Sequence, residues 1–186
     1  LYQGAQSVNI WTNDQIDAMS TQAPEQIARV VRIGLLTGAR ISALLSLSPA
    51  NLDGDWLEYD PQKKGRMVRI HLPTYPDLHA EIEALPNTRL RLLLNSRPWT
   101  LDGFETAVGK ARGNLGLHGI TFHGLRRTAI TRWFELIEPR DIALLTGHSL
   151  KHVEEIIDRH YVQRNRDNAR AVIVKLNKKR TKTDNF

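Results

Sequence analysis

Apolar residues along this chain recur mostly at three- and four-residue spacing, and they alternate with polar ones only between Leu52 and Leu72. The pattern predicts an α+β domain that is mainly α-helical, with one small antiparallel hairpin or sheet. Thr12 and Gln15 stand at capping-box spacing ahead of Ile16 and Met19, so a helix is expected from about residue 13. Pro24 at a first-turn position introduces a second helix, in which Ile27, Val30, Val31, Gly34 and Leu35 share a face until Gly38 ends it. A short helix is expected from Ile41 to Leu47, closed by Pro49. Trp56, Leu57 and Tyr59, then Lys63-Lys64-Gly65-Arg66, then Met67, Val68, Ile70 and Leu72 predict two strands joined by a basic turn. Helices are expected from Asp77 to Leu85 and from Leu101 to Arg112, with a turn at Pro98 between them. Two more are expected from Phe122 to Phe134 and from Asp141 to Leu145, the latter ended by Gly147. Ser149 is placed to cap a helix carrying Val153, Ile156 and Ile157 toward Tyr161. From Ala169 to Lys178 the pattern is divided: Val172, Ile173 and Val174 favour a strand, their flanks a helix.

At 186 residues, 41% hydrophobic and 25% charged, the chain is expected to form one domain with a sizeable core, over 1–165, followed by a basic tail over 166–186. A net charge of +6 and a pI near 9.8 favour polyanionic partners, nucleic acid first among them. The absence of cysteine excludes disulfides, a thiolate nucleophile and zinc sites built on Cys. No apolar run approaches a membrane span and no signal-peptide pattern opens the chain, so a cytoplasmic protein without a membrane partner is expected. Because the chain opens on Leu1 and a featureless polar segment, it is expected to be part of a longer protein with an upstream domain.

The residues with most chemistry lie in Thr121-Phe122-His123-Gly124-Leu125-Arg126-Arg127-Thr128, then Thr146-Gly147-His148-Ser149, then His160-Tyr161. His123 and Arg126, three apart on a predicted helix, leave from one face and can meet one small anion, to which an Arg fork donates two parallel hydrogen bonds. Taken alone, such a pair is ordinarily a solvated helix surface. Arg40 and His148 each follow closely on a helix-ending Gly, where a side chain can face a groove or simply be solvated. Lys63 in the basic turn is a cation on a flexible stem. Tyr161 lies in a polar stretch at the end of a helix, and as a nucleophile its phenol, with an ordinary pKa near 10, needs a base or a positive field.

Taken in order, Arg40, Lys63, His123, Arg126, His148 and Tyr161 resemble the signature of the tyrosine recombinase (phage integrase) family: Arg, Lys, His-x-x-Arg, His or Trp, and Tyr. The resemblance runs from Thr37 to Tyr161 and corresponds to that family's catalytic domain, with the Lys on the small β-hairpin. Leu35-Leu36-Thr37-Gly38-Ala39-Arg40-Ile41-Ser42 matches the first Arg box, and Lys64 is a one-residue alternative to Lys63. There are two departures: Ala43 stands where the family often has Glu, and the stretch from His148 to Tyr161 is longer than in many members.

The resemblance implies double-stranded DNA as substrate and site-specific strand cleavage and rejoining, for integration or excision of a mobile element, with no metal and no other cofactor. Tyr161 would attack the scissile phosphate, giving a 3′-phosphotyrosyl link and a free 5′-hydroxyl. Arg40 and Arg126 would hold the non-bridging oxygens, His123 would assist deprotonation of Tyr161, His148 would donate to a phosphate oxygen, and Lys63 would protonate the departing 5′-oxygen. Arg66, Arg69, Arg127, Arg132 and Arg164 are candidates for phosphate contacts along the duplex. The resemblance further implies a bacterial or phage-encoded protein, a homo-tetramer assembled on DNA from subunits that are monomeric without it, a core-binding domain upstream of this chain, and a tail that docks on a neighbouring protomer.

Three other readings compete. Ile142 to Ser149, with Val153 and Ile156-Ile157 after it, has the apolar rhythm and central Gly of a helix-turn-helix regulator, which leaves Arg40, Lys63 and the His123–Arg126 pair without a purpose. A metal-dependent nuclease or phosphatase could use the seven His, but they are read as lacking a paired-carboxylate or i, i+4 ligand pattern. A type IB topoisomerase shares the chemistry and differs in site specificity.

Overall fold

The computed structural model describes residues 10–60, 69–84, 93–94, 97–161 and Val174, with backbone alone at 93–94, 97–98 and 159–161. Helices α1 (Asn13–Thr21), α2 (Glu25–Thr37) and α3 (Ile41–Leu44) come first. Strands β1 (Leu52–Asp53), β2 (Trp56–Tyr59) and β3 (Ile70–Pro73) follow. Then come α4 (Pro76–Glu83), the short pair β4 (Leu93–Leu94) and β5 (Arg97–Pro98), α5 (Leu101–Asn114), α6 (Phe122–Phe134), α7 (Pro139–Thr146) and α8 (Leu150–Tyr161). The fold is the expected mainly helical one with a small antiparallel sheet. None of the helices among the described residues is long and apolar enough to cross a membrane.

Local rules account for most boundaries. The Thr12–Gln15 capping box opens α1, and the Thr121 hydroxyl accepts from the Gly124 amide at 3.0 Å to open α6. Gly38 (φ +58°) and Gly147 (φ +67°) end α2 and α7 in the left-handed region, where a side chain would be strained. α3 stops at Leu44, shorter than the Ile41-to-Leu47 helix the sequence predicts, and passes through a turn into Pro49.

The sheet has one strand more than the alternation suggests. β1 turns back at Gly54, pairing Leu52 with Leu57, and β2 then pairs antiparallel with β3, Leu57 opposite Leu72 and Tyr59 opposite Ile70. β1 is only two residues long, too short to show a period. A second antiparallel pair, β4–β5, occupies the region expected to be only a turn at Pro98. The basic turn with Lys63, Lys64 and Arg66, and the tail residues Arg164, Val172, Ile173 and Lys175 to Lys182, lie outside the described residues.

The centre of the molecule is α2, buried along Ile27, Val30, Val31, Ile33 and Gly34 and packed against α1, α4 and α6. On its outer side Arg32 pairs with Glu25 (2.8 Å) and Glu81 (2.5 Å), which joins α2 to α4. An edge-to-face series of rings, Trp11–Phe122 (6.0 Å), Phe122–Phe104 (5.1 Å) and Phe104–Trp99 (5.4 Å), fastens the start of α6 to α5 and to the segment before α1. Trp11 adds two hydrogen bonds at 2.8 Å, from its indole to the Thr121 carbonyl and from its amide to the Thr128 hydroxyl. The first turns of α6, which carry His123 and Arg126, are thereby held from both sides. A smaller cluster, Ile130, Ile142, Val153, Ile156 and Ile157, lays α8 along α6 and α7. Burying each such side chain is worth about 1.5–3 kcal/mol, so α8 is held by packing more than by its own propensity.

Candidate active site

Arg126 organises the site. Its side chain is 5% exposed, and it spans two turns far apart in sequence. Nη1 donates to the Gly38 carbonyl at 2.6 Å and Nη2 to the Thr146 carbonyl at 3.3 Å. Both acceptors are C-terminal carbonyls, one from α2 and one from α7, at ends where helix dipoles concentrate negative partial charge. Two helix ends therefore hold a buried guanidinium that, among the described residues, has no carboxylate bonded to it. Burial first, and Arg40 second, push its pKa down to about 9, while Tyr59 acts in the opposite direction; it stays cationic at neutral pH.

The same bridge sets Arg40 beside His148. Arg40 is the N-cap residue of α3, two positions past the Gly38 turn, and His148 follows the Gly147 turn. Arg126 reaches His148 Nε2 from Nε (3.2 Å) and Nη2 (2.9 Å). His148 Nδ1 lies 2.8 Å from the Thr146 hydroxyl, which itself donates to the Ile142 carbonyl at 2.7 Å. Arg126 Nη2 also lies 3.0 Å from Nδ1, and since a guanidinium only donates, the imidazole is the acceptor between the two side chains. A polar pocket of about 400 Å³ opens here, lined by Arg40, His148, Ser149, Lys151, His152 and Glu155.

His123 stands exposed one turn before Arg126. Partial burial, then Arg127, Arg126, His152 and Arg40, hold its pKa below the ordinary imidazole value, so it is neutral and able to accept a proton at physiological pH. Arg40, His123, Arg126 and His148 are thus gathered at one basic end of α6. Lys63 lies outside the described residues, and of Tyr161 the backbone alone is described. Tyr161 ends α8, a continuous helix from Leu150, so at about 1.5 Å per residue its backbone lies about 16 Å from the end that abuts His148.

Two side chains near this cluster escaped the sequence reading. The His152 ring lies 4.9 Å from that of His148, tilted by 32°, with Nδ1 3.5 Å from Glu155 Oε2. Contrary to the expectation that the histidines have no i, i+4 pattern, His148 and His152 stand four apart across the Ser149 cap, and that spacing was the available signal. Tyr59, buried on β2, had none beyond its place in an alternating strand. The described residues contain no group of three or more His, Asp or Glu able to hold a metal ion. The α7–Gly147–α8 pair has helix-turn-helix order, but Gly147 is pressed against Ile70 of β3, where even a β-carbon would come within 2.6 Å of Cδ1.

The same arrangement of helices around a small sheet occurs in solved structures. A lambda integrase dimer bound to a COC' core site superposes with a TM-score of 0.68 at 18% identity, over 85% of this chain and 50% of that one. The Tn1549 transposon integrase in complex with a circular intermediate DNA gives 0.70 at 16% identity, over 94% of this chain and 68% of that one. XerA recombinase gives 0.65 at 13% identity, over 89% and 64%. The fold is that of a tyrosine recombinase catalytic domain. This chain spans half of the lambda integrase chain and about two thirds of the Tn1549 integrase, so the recombinase fold is matched without the remainder of those proteins. The sequence matches no protein-family model and no curated protein.

Proposed function

We propose that this chain is the catalytic domain of a site-specific DNA recombinase that cleaves and rejoins duplex DNA through a 3′-phosphotyrosyl intermediate, without a metal ion. The observation that carries the reading is the buried Arg126 guanidinium, held by two helix ends beside Arg40 and His148 and lacking a carboxylate among the described residues. A guanidinium with no carboxylate bonded to it can take a phosphodiester as its anion, and each charge-assisted hydrogen bond to the phosphate oxygens is worth about 1.5–3 kcal/mol. The fold supports the same reading, since lambda integrase and the Tn1549 integrase carry it in complexes with DNA. A lambda integrase tetramer bound to a Holliday junction supports assembly of four copies on DNA, integration or excision as the reaction, and a bacterial or phage source.

In this mechanism Arg40 and Arg126 grip the non-bridging oxygens and offset the charge that builds on the pentavalent phosphorus. The arriving phosphate replaces His148 as an acceptor for Arg126, and His148, once the ring nitrogen so released has taken a proton from solvent, donates it in a hydrogen bond to a phosphate oxygen. Neutral His123 takes the phenolic proton as Tyr161 attacks, and Lys63 protonates the departing 5′-oxygen. Tyr161 attacks the phosphate held by its own protomer or by a neighbour, two routes that mixing of variants separates.

The test is a labelled duplex bearing candidate attachment sites and a nick that lets the 5′-product escape, incubated in chelator. A protease-sensitive covalent adduct on the DNA is the expected result; cleavage that needs a divalent ion, or no adduct on any candidate site, overturns the reading.

The depressed basicity of His123 sets a pH signature. Its neutral form acts as the base, so cleavage at saturating DNA falls on acidification only as pH drops below the ordinary imidazole value of 6.5. Arg127→Gln removes the neighbour with the largest charge effect on it, raises the His123 pKa and moves that acid limb to higher pH. Single-turnover rates across pH, with an NMR titration of the ring, check both shifts; an acid limb that Arg127→Gln leaves in place removes His123 from the base role.

A further inference from the structure

Tyr59 occupies the last position of β2, 2% exposed, and its hydroxyl oxygen is closed off from solvent with no hydrogen-bond partner among the described residues. A buried hydroxyl without a partner is a standing cost to the free protein that phenylalanine at the same place would avoid. The position of this orphan is therefore informative. Tyr59 pairs directly with Ile70, so the two side chains share the inner face of the sheet. Ile70 in turn presses on Gly147, the residue before His148, which puts this face of the sheet beneath the candidate site. Burial pushes the Tyr59 pKa up to about 12, with Arg126 and Arg40 acting against it, so the phenol is neutral and within electrostatic range of both guanidinium groups. Guanidinium groups only donate, so the use such neighbours have for a phenol is its oxygen lone pairs. Ala43, fully buried one turn past Arg40, offers no side-chain acceptor.

Resting on the phosphodiester-cleavage reading above, we propose that Tyr59 is a positioning residue of the phosphate site, whose hydroxyl oxygen accepts from the Arg40–Arg126 pair once a phosphodiester draws the two guanidinium groups together. In the free protein the two cations repel one another and the hydroxyl is left over. A bound phosphate screens that repulsion, and the phenol then fixes the pair from below while the phosphate oxygens engage it from above. No bond to the substrate is made by Tyr59 itself.

Tyr59→Phe deletes the one oxygen and keeps the ring. The free variant is expected to melt at the wild-type temperature or above it. Duplex affinity by gel shift is expected to stay within about twofold, while single-turnover adduct formation at saturating DNA slows at least about tenfold, the size of one lost hydrogen bond to a charged group. A residue that only packs the core would spare the rate. Wild-type adduct formation with an unchanged Tyr59→Phe rate overturns this inference and leaves the functional reading standing. If the wild type forms no adduct, the functional reading fails, and the inference is decided by inorganic phosphate: the melting shift that phosphate gives the wild type must shrink in Tyr59→Phe, and an equal shift overturns it.

Discussion

Tyr161→Phe abolishes covalent capture of nicked attachment-site DNA, while gel-shift affinity for the intact duplex stays within about twofold of wild type, since the lost oxygen makes a bond only in the reaction. The expected loss is complete within detection, because no other tyrosine follows Tyr161 and the substitution removes the atom proposed as nucleophile. Residual adduct at the wild-type rate would assign the nucleophile elsewhere. The same variant distinguishes attack within one protomer from attack on a neighbour's phosphate. Mixed with an Arg126 variant, Tyr161→Phe recovers adduct formation if the tyrosine acts on a neighbour's phosphate and stays inactive if it acts within its own protomer.

Arg126→Lys is expected to slow cleavage by about a thousandfold or more, the scale set by removing preorganised donors from a developing oxyanion. Lysine retains the charge but not the fork, and one ammonium cannot reach the Gly38 carbonyl, the Thr146 carbonyl and a phosphate oxygen together. The same substitution should lower folding stability by about 1–3 kcal/mol, because buried helix-end carbonyls lose their donors and the α2 and α7 ends are no longer tied. Urea unfolding and single-turnover rates measure the two losses separately. A large rate loss with unchanged stability would mean that the bridge is not what holds the turns; full activity would remove Arg126 from the mechanism.

Much of this architecture was legible because the governing forces act over a few residues. The Thr12–Gln15 box, the Thr121 cap and the Gly38 and Gly147 ends fall where the sequence predicts them, each set by a hydrogen bond or a positive φ within one turn. The His123–Arg126 spacing likewise sets both residues on the first turns of one helix. The misses are of another kind. β1 is two residues long and exists because β2 offers it an edge, so nothing periodic announces it. His152 joins His148 only because a capped turn swings the start of α8 back over the pocket. Tyr59 reads as one apolar position among several until the partnerless oxygen is seen next to two cations.

The chain by itself determined the mainly helical plan, the glycine-ended turns, the excess of positive charge and the order of the residues proposed for phosphodiester chemistry, since all of these are properties of composition or of neighbours a turn apart. The tertiary structure alone decided that Arg126 reaches the Gly38 carbonyl 88 residues away and the Thr146 carbonyl 20 residues away, joining Arg40 and His148 into one pocket. The physical reason is one of range: caps and helical periods are local, whereas the burial of a guanidinium between two helix ends depends on packing among α2, α6 and α7 that no short stretch encodes.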